Sequence, residues 1–189
     1  MKTFWDVLID CNNFRMFRRK LSTEAALEEA LALLEQLKSR DWIGEKWKII
    51  RAQLAREKSE RAKPVADFIA IDLALDAMSE RAKACLEDLV SGQIEFLPVE
   101  TPIGRYYCMH VRYVDCLDTS SVQAKYFDDG RILRVIKYAF RWERLEGIHI
   151  FRLPELGTSR LFVSDEFKRK VEENGLTGLL FYPVPLVEE

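Results

Sequence analysis

Ser79-Glu-Arg-Ala-Lys-Ala-Cys-Leu-Glu87 aligns without a gap with Ser164-Asp-Glu-Phe-Lys-Arg-Lys-Val-Glu172, and both segments continue to a Phe-x-Pro-Val motif. In each copy a serine can cap a helix whose apolar residues keep the same register, four positions apart. The pattern predicts a duplicated helix-turn-strand module over residues 79–99 and 164–184, with Phe-x-Pro-Val closing the strand. Six of the 21 aligned positions are identical, so a chance pairing is the alternative.

A further helix is predicted from Thr23 to about Lys38, with Ser22 or Thr23 as its N-cap. The stretch from Glu45 to Lys63 fits either a helix or a strand. The apolar residues of the helix from Thr23 to Lys38 recur on one face, which we expect to pack against a sheet. They are Leu27, Ala30, Leu31, Leu34 and Leu37.

Strand patterns are spread over the whole chain, and they predict an α+β fold with a mixed, mostly antiparallel sheet and flanking helices. One pair of strands reads as a hairpin turned by Asp128-Asp129-Gly130. The predicted strands are Phe4 to Ile9, Asp67 to Ile71, Ile94 to Leu97, Tyr106 to Asp115, Val122 to Phe127, Arg131 to Phe140, Ile148 to Leu153 and Leu179 to Tyr182.

The length of 189 residues suits one composite domain. The alternative is an N-terminal strand and helix segment, residues 1–63, packed on a main domain, residues 64–189. The Lys63-Pro64 step marks the boundary, because proline disfavours a helical residue before it.

The composition predicts a soluble cytoplasmic protein. It is 48% hydrophobic and 32% charged with a net charge of −2, and it has no apolar run that could span a bilayer and no secretory signal. The four cysteines form no CxxC pair, so we expect reduced thiols. The basic stretches Arg15 to Lys20 and Lys46 to Lys63 could bind nucleic acid or an acidic protein surface, but we read them as solvated faces and expect neither a nucleic-acid nor a membrane partner.

No cofactor, metal or catalytic site is expected. Cys108-x-His110 with Cys116 is the best metal candidate, but it lacks a fourth ligand. His149 lies in a strand pattern, and no Gly-x-Ser-x-Gly elbow accompanies either histidine. The glycines fall at turns rather than in a phosphate-binding loop.

Asp115-x-x-Asp118-Thr-Ser-Ser offers two carboxylates directly after a strand. Such a cluster could serve acid-base chemistry or bind a small molecule, which is the alternative function. Aspartate and serine at a strand end more often bond exposed backbone N–H groups in a turn.

From about Pro64 to Val184 the chain resembles an immunity-protein family of bacterial polymorphic toxin systems, formerly a domain-of-unknown-function family. The order of several short segments carries the resemblance. They are Ser79-Glu-Arg-Ala, Ile94-Glu-Phe-Leu-Pro-Val, Tyr106-Tyr107, Val114-Asp-Cys-Leu-Asp118, Gly130-Arg-Ile, Ile150-Phe-Arg-Leu-Pro-Glu-Leu, Leu161-Phe-Val-Ser-Asp-Glu-Phe-Lys and Gly175-Leu-Thr-Gly-Leu.

The resemblance implies a small cytoplasmic protein that binds a cognate toxin and blocks it by occlusion, with no catalytic residues. Phe96 and Phe181 occupy matching positions in the two modules and are expected to be buried structural anchors. Recognition surfaces commonly lie on exposed turns of a rigid scaffold. We therefore predict that charged residues around the hairpin and the loop before the second module bind the partner: Asp128, Asp129, Glu143 and Glu146.

Overall fold

The computed structural model describes residues 3–20, 23–72 and 75–187. Their helices are α1 (Glu24–Leu37), α2 (Lys58–Arg61), α3 (Glu80–Leu86) and α4 (Asp165–Glu173), with 3-10 helices at Gly44–Lys46, Trp142–Leu145 and Pro154–Ser159. Their strands are β1 (Phe4–Ile9), β2 (Phe17–Arg18), β3 (Ile50–Arg51), β4 (Gln53–Leu54), β5 (Phe68–Ile71), β6 (Leu75–Ser79), β7 (Ile94–Thr101), β8 (Gly104–Val111), β9 (Gln123–Tyr126), β10 (Ile132–Lys137), β11 (Ile150–Phe151), β12 (Leu161–Ser164) and β13 (Leu179–Pro183).

The strands form two large sheets and a two-stranded ribbon. The larger sheet has the order β3-β7-β8-β6-β5-β2-β4, the smaller one β11-β12-β1-β13, and β9 and β10 make the ribbon. All pairs are antiparallel except β2 with β5 and β3 with β7. The predicted α+β fold with a mostly antiparallel sheet is confirmed.

Both predicted modules are a serine-capped helix followed by a strand. Ser79 Oγ accepts a hydrogen bond from the Ala82 N–H at the start of α3, and Ser164 Oγ accepts one from the Phe167 N–H at the start of α4. This side-chain bond satisfies an N–H that has no partner within the helix. The expected helix-turn-strand order is therefore present in both copies.

The repeat is larger than the sequence alignment indicates. In each copy a strand precedes the helix, and the strands before and after the helix pair with opposite edges of one central strand: β6 and β7 with β8, and β12 and β13 with β1. The registers agree: Tyr107 lies opposite Met78 and Pro98, and Trp5 lies opposite Val163 and Pro183. Each module is thus a split β-α-β unit, and the second one takes its central strand from residues 4–9.

Three apolar clusters hold these layers together. The first joins the two modules, because it contains residues of α3, α4 and both sheets, among them Leu86, Phe167, Met109 and Val163. The second lies on the other face of the larger sheet, beneath α1. The third lies on the other face of the smaller sheet and includes the aromatic residues Phe4, Tyr138, Phe140, Phe151 and Phe162.

Helix α1 has nearly the predicted length, but its buried face differs. Thr23 caps it by accepting a hydrogen bond from Ala26 N, and Ser22 lies outside the described residues. Leu33 and Leu37 pack on the larger sheet, whereas Leu27 and Leu31 are 51% and 55% exposed. The prediction that Leu27 and Leu31 face the sheet is wrong. The leucine-rich helix offers more than one apolar stripe, and contact with the sheet selects between them.

The Phe-x-Pro-Val motif does not close the first strand. Residues 96–99 lie inside β7, which continues to Thr101 beside β8. Phe96 and Phe181 are partly buried rather than fully buried, because each ring flanks the first cluster instead of entering it. The expectation that both are buried anchors is therefore wrong.

The N-terminal residues are part of both sheets. β1 is hydrogen-bonded on both sides within the smaller sheet, and β2 pairs with β4 and β5 in the larger one. The ambiguous stretch from Glu45 to Lys63 contains two short strands and the single turn α2. A boundary between residues 63 and 64 stays a prediction.

Candidate partner-binding surface

The hairpin ribbon is held on the third cluster by one side of its strands. Val122, Ile132 and Val135 pack there as partly buried side chains. The turn is fixed by Asp129, whose carboxylate accepts hydrogen bonds from the Arg131 backbone N–H at 3.0 Å and from its Nε at 2.7 Å. The hairpin predicted from Asp128-Asp129-Gly130 is therefore present, with a tip fixed by side-chain contacts.

The four predicted partner-binding residues lie on two segments that share the third cluster. Asp128 and Asp129 are exposed at the tip of the ribbon. Glu143 and Glu146 are exposed on and just after the 3-10 helix whose Leu145 is buried in the cluster. Asp129 differs from the others, since its carboxylate is already paired with Arg131.

Asp115 and Asp118 each have hydrogen-bond partners of their own. Asp118 accepts hydrogen bonds from the hydroxyls of Ser120 and Ser121, at 2.6 and 2.7 Å, and these bonds lower its pKa. Asp115 instead pairs with Arg141 at 2.7 Å. The two carboxylates thus have separate partners, and Asp118 forms the turn that aspartate and serine typically make.

The cysteine and histidine candidates for a metal site are divided between clusters. Cys108 lies in the second cluster and Cys116 in the third. Burial raises the pKa of each thiol to about 12, which disfavours the thiolate that binds a metal. Among the described residues no group of three or more His, Cys, Asp or Glu side chains could hold a metal ion. The absence of a bound metal stays a prediction.

His110 has a structural role that the sequence did not indicate. Its Nδ1 lies 2.9 Å from Glu95 Oε2 and its Nε2 lies 3.1 Å from the Ser39 carbonyl oxygen. Glu95 also accepts hydrogen bonds from the backbone N–H groups of Ile43 and Gly44. Burial acts to raise the Glu95 pKa, but the hydrogen bonds from His110 and the two amides outweigh it and lower that pKa. The pair fastens the segment after α1 to β7 and β8.

His149 approaches Ser164 and Glu166 without forming a catalytic triad. Its Nδ1 lies 3.0 Å from Ser164 Oγ and 3.8 Å from Glu166 Oε2. A triad requires the serine and the acid on opposite ring nitrogens, whereas both contacts here involve the same one. Ser164 Oγ is moreover the N-cap of α4.

The basic stretches are partly used within the fold. Arg15 donates two hydrogen bonds to the Ala55 carbonyl oxygen, and Arg19 pairs with Asp72 at 2.6 Å. A cleft of about 400 Å³ lies between the modules and contains another internal pair, Arg152 with Asp76. Such charges neutralise each other instead of presenting one sign to a ligand.

None of the described helices combines the length and the apolar character that a bilayer crossing needs.

A family model described as "Immunity protein family (Imm11)" matches residues 17–185. The match begins well before Pro64, so it includes most of the N-terminal segment as well as both helix-turn-strand segments, residues 79–99 and 164–184, but not β1. No curated protein matches the chain.

Proposed function

Because the chain belongs to the immunity protein family Imm11, we propose that it binds a cognate bacterial toxin and neutralises it by occlusion. The family match over residues 17–185 is the observation that carries this proposal. The protein acts in the cytoplasm of the producing cell, as one partner of a polymorphic toxin system. It inhibits by contact and performs no catalysis.

The arrangement of side chains is compatible with an occluding inhibitor. Such a protein needs a rigid scaffold and a complementary surface, and it needs no convergent catalytic groups. The two split β-α-β units share one apolar cluster, which supplies the scaffold. The free cysteines Cys11, Cys85, Cys108 and Cys116 are consistent with a reducing compartment.

The binding face that we propose consists of Asp128, Asp129, Glu143 and Glu146. All four are exposed, and their segments pack on the same cluster beneath the smaller sheet. Charged rim residues mainly steer association and select the partner. Replacing them should slow complex formation more than it destabilises the fold.

Co-expression with the toxin encoded by the neighbouring gene tests this proposal. Wild type should restore growth, and the variant with all four acidic residues changed to alanine should restore it less. A matched control changes four exposed glutamates of α1 to alanine: Glu24, Glu28, Glu29 and Glu35. Failure of the wild type to protect would refute the immunity function. Equal protection by both fourfold variants would refute only the choice of face.

A further inference from the structure

The β9-β10 ribbon carries a group of exposed apolar and cationic side chains. We propose that this group is the centre of the toxin-contact surface and that it binds an apolar patch of the toxin bordered by carboxylates. This inference rests on the proposed function. The group, called the ribbon patch below, consists of Lys125, Tyr126, Phe127, Leu133, Arg134 and Ile136.

Two of the apolar residues of the patch lie at irregularities in strand pairing. The register of β10 against β9 shifts between Ile132 and Arg134 and again between Val135 and Lys137. The extra residues at these shifts are Leu133 and Ile136, which are 53% and 47% exposed. A bulge re-aims a side chain while the rest of the strand keeps its contacts. The neighbours Ile132 and Val135 accordingly remain packed on the third cluster.

Exposed apolar side chains are concentrated in this ribbon. Twelve large hydrophobic residues are exposed among the described parts of the chain, and four of them fall between residues 126 and 136. These four are Tyr126, Phe127, Leu133 and Ile136, about half exposed in each case. Exposed apolar residues on a strand favour unwanted pairing. Their concentration on one ribbon is typical of a protein-interaction surface.

The charges of the ribbon indicate an acidic partner. Lys125 and Arg134 are Cα partners across the ribbon, and both are exposed. Like charges directly opposite each other destabilise a strand pair. Within residues 3–20, 23–72 and 75–187, neither cation has an ion pair, and Asp129 at the tip of the ribbon is paired with Arg131. Carboxylates of a bound toxin would relieve this repulsion.

The patch and the acidic face proposed above fit one interface. Interfaces have an apolar centre and a polar rim. Leu133 and Ile136 supply the centre, whereas Asp128 at the tip supplies part of the rim. A nucleic acid fits less well, since Leu133 and Ile136 at the centre offer no ring for base stacking, although Tyr126 and Phe127 do, and the whole chain has a net charge of −2.

Binding of a catalytically inactivated form of the neighbouring gene's toxin, measured by biolayer interferometry, tests the patch. The variants are Leu133→Ser with Ile136→Ser and, separately, Lys125→Glu with Arg134→Glu. The first is matched by Leu27→Ser with Leu31→Ser on α1, which are equally exposed, and the second by Lys46→Glu with Lys48→Glu. Each ribbon variant should raise Kd about tenfold or more, and each control less than about twofold.

The outcomes separate this inference from the proposed function. Tight binding by wild type and by both ribbon variants would overturn the inference and leave the function standing. Weaker binding by the α1 control alone would overturn it and move the contact to α1. Absence of toxin binding by wild type would refute both. If the wild type binds a duplex DNA probe and only the variant with Lys125→Glu and Arg134→Glu loses this binding, the ribbon is a nucleic-acid surface. That result would also overturn the inference.

Discussion

Lys168 lies over the ring of Trp5, with its Nζ 4.8 Å from the ring centroid. Lys83 makes the corresponding contact with Tyr107, at 5.5 Å. Trp5 and Tyr107 occupy the same register position in the two central strands, β1 and β8. The two lysines also occupy matching positions in the sequence alignment. The repeat therefore conserves a side-chain contact as well as an order of elements.

In both modules the aromatic side chain beneath the lysine also donates a hydrogen bond to an acidic residue. Trp5 Nε1 donates a hydrogen bond to Asp165 Oδ1, and the Tyr107 hydroxyl donates one to Glu80 Oε1. Asp165 and Glu80 each follow the capping serine of their module. Each central strand is thus linked to the first turn of its helix. The agreement at independent positions favours duplication over a chance pairing.

Replacing Lys168 by methionine should cost about 0.5–1 kcal/mol of unfolding free energy, since it removes a partly exposed cation-π contact. Lys83→Met should cost a similar amount, because Lys83 lies over Phe96 as Lys168 lies over Phe181. Urea denaturation of both variants measures these losses. A loss in one module only would show that the two contacts are not energetically equivalent.

Phe181→Ala should destabilise the protein by about 1.5–2.5 kcal/mol, because only part of the ring is withdrawn from water. Phe167→Ala should cost about 3–5 kcal/mol, since that side chain is 1% exposed in the first cluster. The two losses of unfolding free energy are compared from the midpoints of chemical denaturation, provided that the variants have the same m-value. Equal losses would place Phe181 in the interior.

Glu95→Gln should cost about 1.5–3 kcal/mol at neutral pH, because the charged acceptor bonds His110 and two backbone amides. The pKa of Glu95 is lowered from 4.5 in the folded protein. Its contribution is therefore fully present above the unfolded pKa and is lost as pH falls through the lowered folded value. The stability difference between wild type and variant, measured by denaturation from about pH 7 to about pH 3, should shrink on acidification. A pH-independent difference would contradict this assignment.

Maleimide labelling followed by mass spectrometry should separate the four cysteines into two classes. Cys108 and Cys116 are 1% and 0% exposed, and burial raises the pKa of each to about 12. They should react only after unfolding, whereas the partly exposed Cys11 and Cys85 react in the native protein. Rapid native labelling of Cys108 would place it at an accessible site.

Local signals predicted α1, α3, α4 and the hairpin, because caps and turn residues act over a few positions. Thr23, Ser79 and Ser164 are N-caps, and Gly130 and Gly175 adopt positive φ at the expected turns. β6 and β12 were missed. Each is a short, mainly buried run that enters its helix without a turn, and periodicity does not distinguish such a run from a helix.

Long-range pairing could not be predicted from the sequence. β1 lies between β12 and β13, more than 150 residues away, and no local pattern in residues 4–9 specifies either partner. The ribbon patch was missed for a similar reason. Leu133 and Ile136 look like ordinary strand residues, and the sequence shows neither their exposure nor the register shifts against β9 at which they lie. The four acidic residues on the neighbouring turns remain a prediction.

Inhibition by occlusion is tested by isothermal titration of the purified protein into the inactivated toxin of the neighbouring gene, with parallel assays of the active toxin. We expect a one-to-one complex and loss of toxin activity at the equivalence point. Absence of binding, or binding that leaves the toxin fully active, would contradict it.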